Sequence, residues 1–197
     1  ASELKAFDGL GFEEISALPP GALFDSRGGL RQWYRVPSGA AKAEPELDVD
    51  AVAGELRLSL EEAVAKWMVA DGEVGSFLSG GLDSSIIAAL AQKVRINAGQ
   101  GPLKTFAVGT AGSSDLIAAR RVAEHIGTEH HEFTFTAQDI AENLPHVIYH
   151  LESADADLVR SAIPTLFAAR LARAHVKAVL TGEGADELFA GYTYHHD

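Results

Sequence analysis

The chain has 197 residues, 47% of them apolar, enough for one packed core and part of a second. Its net charge of −12 argues against nucleic acid and against an anionic membrane as partners. The lack of cysteine excludes disulfides, thiolate metal sites and thiol nucleophiles, and fits a cytoplasmic location. Apolar stretches are too short to cross a membrane, and the opening ASELKAFDGL lacks the basic start and apolar centre of a signal peptide. No Met stands first, as expected of a processed or excerpted chain.

Residues 19–36 read as a β-hairpin: an apolar run, the turn-forming Asp25-Ser26-Arg27-Gly28-Gly29, then Leu30 to Val36 with Trp33 and Tyr34. One hairpin is marginal alone, so residues 1–36 are expected to be the edge of something larger. Residues 37–46, PSGAAKAEPE, have no periodicity and read as a linker to a domain over 47–197. Asp48 caps a helix whose Val52, Leu56, Leu60, Val64 and Met68 recur every four residues. A buried strand follows at Val74 to Leu78, a helix from Ser84 to about Val94, and a strand from Leu103 to Val108.

The segment SSDLIAARRVAEHIG reads as a helix capped by Ser114, favoured by Asp115 at its positive end and stopped by Gly127. His131 to Thr136 alternates as a strand. Thr136 and Asp139 have capping-box spacing for a helix expected to be interrupted at Pro145. Glu152, Asp155 and Asp157 read as a solvated loop, residues 163–175 as a helix, and Val176 to Leu180 as a strand running into Thr181-Gly182-Glu183-Gly184. His130-His131-Glu132 has the composition of a metal cluster, but adjacent strand residues face opposite ways, so a structural role is expected. His195-His196 reads as a chain tip. Strands alternating with helices imply an α/β fold, a mostly parallel doubly wound sheet with helices on both faces, preceded by the hairpin.

Ligands of such sheets bind at the carboxyl ends of strands, where two loops stand out, 79–85 and 181–187. In SGGLDSS, Gly80 and Gly81 let backbone N–H groups approach an anion, the next helix aims its positive end at the same spot, and Ser79, Ser84 and Ser85 add hydroxyls. Asp83 would repel phosphate unless a divalent cation bridged them. Alone, the segment reads as readily as a capped strand-to-helix turn, and it is neither a Walker A loop nor G-x-G-x-x-G. TGEGADE presents Glu183, Asp186 and Glu187, which again calls for a cation or reads as an acidic helix start. Two such loops at neighbouring strand ends favour a Mg-polyphosphate site.

FLSGGLDSS resembles the PP-loop of the ATP pyrophosphatase group, and LTGEGADELFAGY resembles the second signature of the asparagine synthetase family. LKTFAVG, SDLIAARRVAEHIGTEHHEFTFT and VIYHLESADADLVRSAIP match that family in order, and ASELKA and FEEISALPPGALF resemble the tail of its glutamine-hydrolysing domain. The resemblance implies ATP and Mg2+ as cofactors, aspartate and ammonia or glutamine as substrates, and a homodimer for the complete enzyme. Leu78 and Val108 would line the adenine pocket. Ser79, Gly80, Gly81, Asp83 and Ser84 would hold pyrophosphate, and Asp83 and Asp186 the metal. Thr181 and Gly182 would lie near ribose and α-phosphate, Glu183 beside aspartate and ammonia, and Arg160 and Glu152 are further substrate candidates.

Departures from the family pattern accompany the match. The glutaminase Cys is missing, so this chain is not expected to hydrolyse glutamine, and the family continues with a helical region past the second signature. Glu73 stands for a proline, Ala154 for a tyrosine and Ala190 for a glycine, and one residue is missing before Val176. The alternatives are a non-catalytic ATP-binding or regulatory fragment and a lactam-type PP-loop synthetase. Glu183, a tyrosine in the lactam branch, argues against the latter.

Overall fold

The computed structural model describes residues 3–35 and 48–192. Val36, the proposed linker and His195-His196 lie outside them. The chain divides into two units, residues 1–52 and 53–197.

The first unit holds a 3-10 turn, Leu4–Phe7, and a hairpin of β1 (Ala22–Asp25) and β2 (Gly29–Gln32). The strands pair antiparallel from Ala22 opposite Gln32 to Asp25 opposite Gly29. The expected turn closes them: Asp25 Oδ1 accepts the Arg27 N–H, and Gly29 adopts φ 71°, a conformation cheap only for glycine. Leu30, Trp33 and Tyr34 are exposed.

Helix α1 (Val49–Trp67) spans the boundary between the units and is capped by Asp48 Oδ1, which accepts from the Asp50 and Ala51 N–H groups. Its apolar stripe buries only at the far end: Val64 is in the core and Met68 packs on it, while Val52 and Leu56 are exposed. The second unit then runs β3 (Val74–Phe77), α2 (Leu82–Asn97), β4 (Lys104–Gly109), α3 (Ser114–Ile126), β5 (Glu129–Thr134), α4 (Ala137–Leu151), α5 (Ala156–Arg173), β6 (Ala178–Leu180) and α6 (Ala185–Phe189).

The four strands β3 to β6 pair in parallel in the order β5-β4-β3-β6. The pleat sorts β4: Ala107 faces a core cluster with residues of α1, α2 and α3, while Phe106 and Val108 face clusters built with α5. Helices therefore cover both faces, as the alternation required. Strands β4 and β5 are added on one side of β3 through α2 and α3, and then α4 and α5 carry the chain back across to β6 on the other side of β3. The strand order reverses at β3, which opens a crevice between the β3 and β6 ends.

Several local expectations are corrected. The α3 cap is Ser113, whose hydroxyl accepts the Asp115 N–H, one residue earlier than Ser114. Gly127 ends that helix at φ 74° as expected. The capping box at Thr136 and Asp139 forms in both halves, but α4 runs unbroken through Pro145. Helix α5 begins at Ala156 rather than 163, because Asp155 Oδ1 accepts from Asp157 and Leu158 N–H; Asp155 is thus a cap and Asp157 a first-turn residue, not loop. Strand β5 sits two residues earlier than expected, and His130 uses its place in it: its Nδ1 meets Thr105 Oγ1 at 2.9 Å. His131 faces the other way and stacks on His175, ring centroids 4.0 Å apart. Among the described residues no helix is long and apolar enough to cross a membrane.

Candidate active site

The β3 end is built by local hydrogen bonding. Leu78 continues the ladder, its N–H donating to Phe106 O at 2.9 Å, and its side chain is 1% exposed in the core. Beyond it the Ser79 and Ser84 hydroxyls lie 2.9 Å apart, and Ser84 Oγ also accepts the Ser79 N–H at 3.2 Å. The Gly81 carbonyl takes the Ser85 N–H at 3.1 Å and the Ser85 hydroxyl at 2.6 Å. That backbone bond is the first of the helix, so the N–H groups of Leu82, Asp83 and Ser84 precede it and have no acceptor within the helix.

The two glycines differ in role. Gly80, at φ +83°, is pressed on α3: an added Cβ would sit 2.5 Å from the Ala119 nitrogen. Its bareness serves loop-to-helix packing. Gly81 has an ordinary φ of −73°, and an added Cβ would meet only Ser79 Oγ at 3.4 Å. The backbone of Gly81 is thus open on its Cβ side, whereas that of Gly80 is covered by α3.

The second loop docks on the first. A Cβ on Gly182 would lie 2.9 Å from both the Asp83 carbonyl carbon and the Ser84 nitrogen. Thr181 Oγ1 accepts the Glu183 N–H at 3.2 Å, and Gly184 at φ +94° turns the chain into α6. Helix α6 ends at Ala190 with φ 54°, left-handed backbone at a position where the resemblance expects glycine.

An open cleft of about 1020 Å³ lies over these strand ends. Leu78, Ser79, Gly81, Asp83, Ser84, Val108, Thr181, Gly182, Glu183 and Asp186 all line it. Gly80, Glu152 and Arg160 do not. Arg160 is 81% exposed and pairs with Asp157 at 3.2 Å, and Glu152 is an exposed cap of α4 at φ 54°. Asp115, His146, His150, Ser161 and Thr165 line the cleft without having been singled out as site residues. For Asp115 the signal existed, since it follows the carboxyl end of β4, a third strand end of the same sheet.

Among the described residues no three or more His, Asp or Glu side chains gather as a metal cluster, so Glu187 does not complete one. Two carboxylates in one cleft, Asp83 and Asp186, still fit Mg2+, which is usually held by one or two carboxylates with substrate phosphates and water. Glu73 lies at the opposite end of β3, where Lys104 Nζ donates to it at 2.8 Å and holds its carboxyl below the usual range. That departure is remote from the cleft.

The sequence profile of the family described as asparagine synthase matches residues 55–197. The chain belongs to the asparagine synthase family. It is 41% identical over 203 aligned positions to asparagine synthetase [glutamine-hydrolyzing] 2 of Arabidopsis thaliana, covering 100% of this chain and 34% of that protein. It is 40% identical to the root asparagine synthetase [glutamine-hydrolyzing] of Pisum sativum, over 93% of this chain and 32% of that protein. The chain thus spans about a third of the length of the curated relatives it matches. Among solved structures, the NH3-dependent NAD synthetase of Campylobacter jejuni shares 18% identity at a TM-score of 0.48, over 75% of this chain and 62% of that one. Within the asparagine synthase family, both loops that line the cleft fall inside the matched region.

Proposed function

We propose that the cleft binds ATP with Mg2+ and activates the side-chain carboxylate of aspartate for amide formation with ammonia, a reading supported by relatives named asparagine synthetase [glutamine-hydrolyzing]. The observation that carries this reading is the docking of Gly182 onto the first turn of α2, which joins the anion-accepting turn to the acidic loop. In this reading Leu78 and Val108 border the adenine. The N–H groups and hydroxyls of Ser79, Gly81 and Ser84 hold the pyrophosphate end, with Gly80 fixing the loop against α3. Thr181 and Gly182 border the ribose and α-phosphate, and Asp83 and Asp186 hold the metal. Mg2+ there offsets charge on the leaving pyrophosphate.

The chemistry follows from the poor reactivity of a carboxylate. An aspartate oxygen attacks the α-phosphorus, the bond to the β-phosphate oxygen breaks, and pyrophosphate leaves. Ammonia nitrogen then adds to the activated carbonyl carbon, Glu183 accepts a proton, and AMP leaves with its oxygen. Arg160 reaches an aspartate carboxylate only after leaving Asp157, and Glu152 acts from outside the present lining. Supplied with ATP, Mg2+, aspartate and ammonia, the protein is expected to release pyrophosphate and form asparagine. Release only with a different acid would overturn the substrate assignment. ATP binding without pyrophosphate release would support the second reading, a nucleotide-binding segment.

A further inference from the structure

Helix α5 forms one wall of the cleft and lines it with two hydroxyls whose hydrogen atoms are already in use. Ser161 and Thr165 both line the cleft and are exposed, and their spacing of four puts them on one helix face. Ser161 Oγ donates to the Asp157 carbonyl at 3.1 Å, and Thr165 Oγ1 donates to the Ser161 carbonyl at 2.9 Å. A hydroxyl has one donor and two acceptor positions, so each of these offers a ligand only lone pairs. Pro164 lines the same wall and, lacking an N–H, adds no donor. The hydroxyl wall is therefore a strip of acceptors.

The strip adjoins the strand end that the nucleotide reading gives to the base. Ala162 and Leu166, each next in sequence to one of the hydroxyl residues, pack with Val108 of β4 in one apolar cluster and also line the cleft. An apolar bed with a few placed polar atoms is the usual setting for a flat heterocycle. We propose that Ser161 and Thr165 select the base of the nucleotide by accepting the exocyclic amino group of adenine, and so discriminate against purines with an oxo group at that ring position. The proposal rests on the nucleotide reading of the cleft and deepens it. An amino group brings two N–H donors to the strip. An oxo group would set lone pairs against lone pairs, and a hydroxyl could donate to it only by releasing its helix carbonyl.

The test is calorimetric titration of the full chain in Mg2+ with three nucleotides: ATP, inosine triphosphate, and the purine analogue with hydrogen in place of the amino group. It is repeated on Thr165→Val, Ser161→Ala and Thr165→Ser, with folding of each checked by thermal melting. The wild type is expected to prefer ATP to both others. Thr165→Val and Ser161→Ala should each weaken ATP about three- to tenfold and leave the hydrogen analogue nearly unchanged, while Thr165→Ser, which keeps the hydroxyl, keeps the preference. Equal weakening of ATP and the hydrogen analogue, or an ATP preference that survives both hydroxyl deletions, would overturn the proposal. So would a wild type that binds all three nucleotides alike, with ATP binding itself intact. A wild type that binds none of them would instead overturn the nucleotide reading beneath it.

Discussion

Gly182 has no room for a side chain, because a Cβ there would press on the backbone of Asp83 and Ser84. Gly182→Ala should therefore cost about 1–3 kcal/mol and lower the melting temperature by several degrees. An unchanged melting temperature would mean the two loops are not in contact. Glu183 touches no such constraint, since it is exposed and its backbone N–H is held by Thr181. Glu183→Gln should leave Mg-ATP affinity nearly unchanged and slow asparagine formation by about a hundredfold or more, read by product analysis. At this scale the part of the cleft lining contributed by the two loops was legible, because each strand end runs directly into its loop, whereas the lining from α4 and α5 was not. The division of labour between Gly80 and Gly81 was not, because it depends on α3, whose distance from the loop no local pattern encodes.

Helix starts are the elements on which sequence and structure differ by small, explicable steps. In the run Gly112-Ser113-Ser114-Asp115 either serine can cap, and Ser113 takes the place because its hydroxyl reaches the Asp115 N–H at 3.2 Å. Ser113→Ala should cost about 1 kcal/mol in urea unfolding while Ser114→Ala costs much less; equal costs would contradict the assignment. Asp155 was hidden for a related reason: three acidic residues in six look like a loop until one of them accepts two N–H bonds. Pro145 breaks a helix when nothing opposes it, at a cost of about 3 kcal/mol. Here Ile140, Leu144 and Val147 pack with Ile163 and Phe167 of α5, and that burial holds α4 through the proline.

Across the whole second unit, the alternation of strands and helices was enough to read a parallel sheet covered on both faces. The neighbouring of the β3 and β6 ends was anticipated from their loops, but the full order β5-β4-β3-β6 was not legible, because alternation alone does not say on which side of β3 each later strand is added. His130 and Glu73 are two of the titratable groups that shape how this unit responds to acid. Burial holds His130 below the ordinary histidine range, and its Nε2 lies 3.3 Å from Glu132 Oε1 without hydrogen-bond alignment. The unfolded chain therefore takes up that proton first, so the stability it confers is complete above about pH 6.5 and is lost as pH falls towards the folded value. Glu73, lowered by the Lys104 hydrogen bond, contributes above about pH 4.5 and loses its share as pH falls through its depressed folded value. Melting temperature should thus decline in two stages on acidification, with the first reduced in His130→Gln; a flat profile down to pH 5 would contradict the His130 assignment.

The central claim, that the β3 and β6 loops together form a metal-dependent ATP site, is met most directly by calorimetric titration of ATP into the chain with Mg2+, without it, and in Asp83→Asn. The account predicts binding with Mg2+ and a loss of more than about tenfold both on removing the metal and in the variant. ATP affinity that is indifferent to Mg2+ and to Asp83 would contradict it.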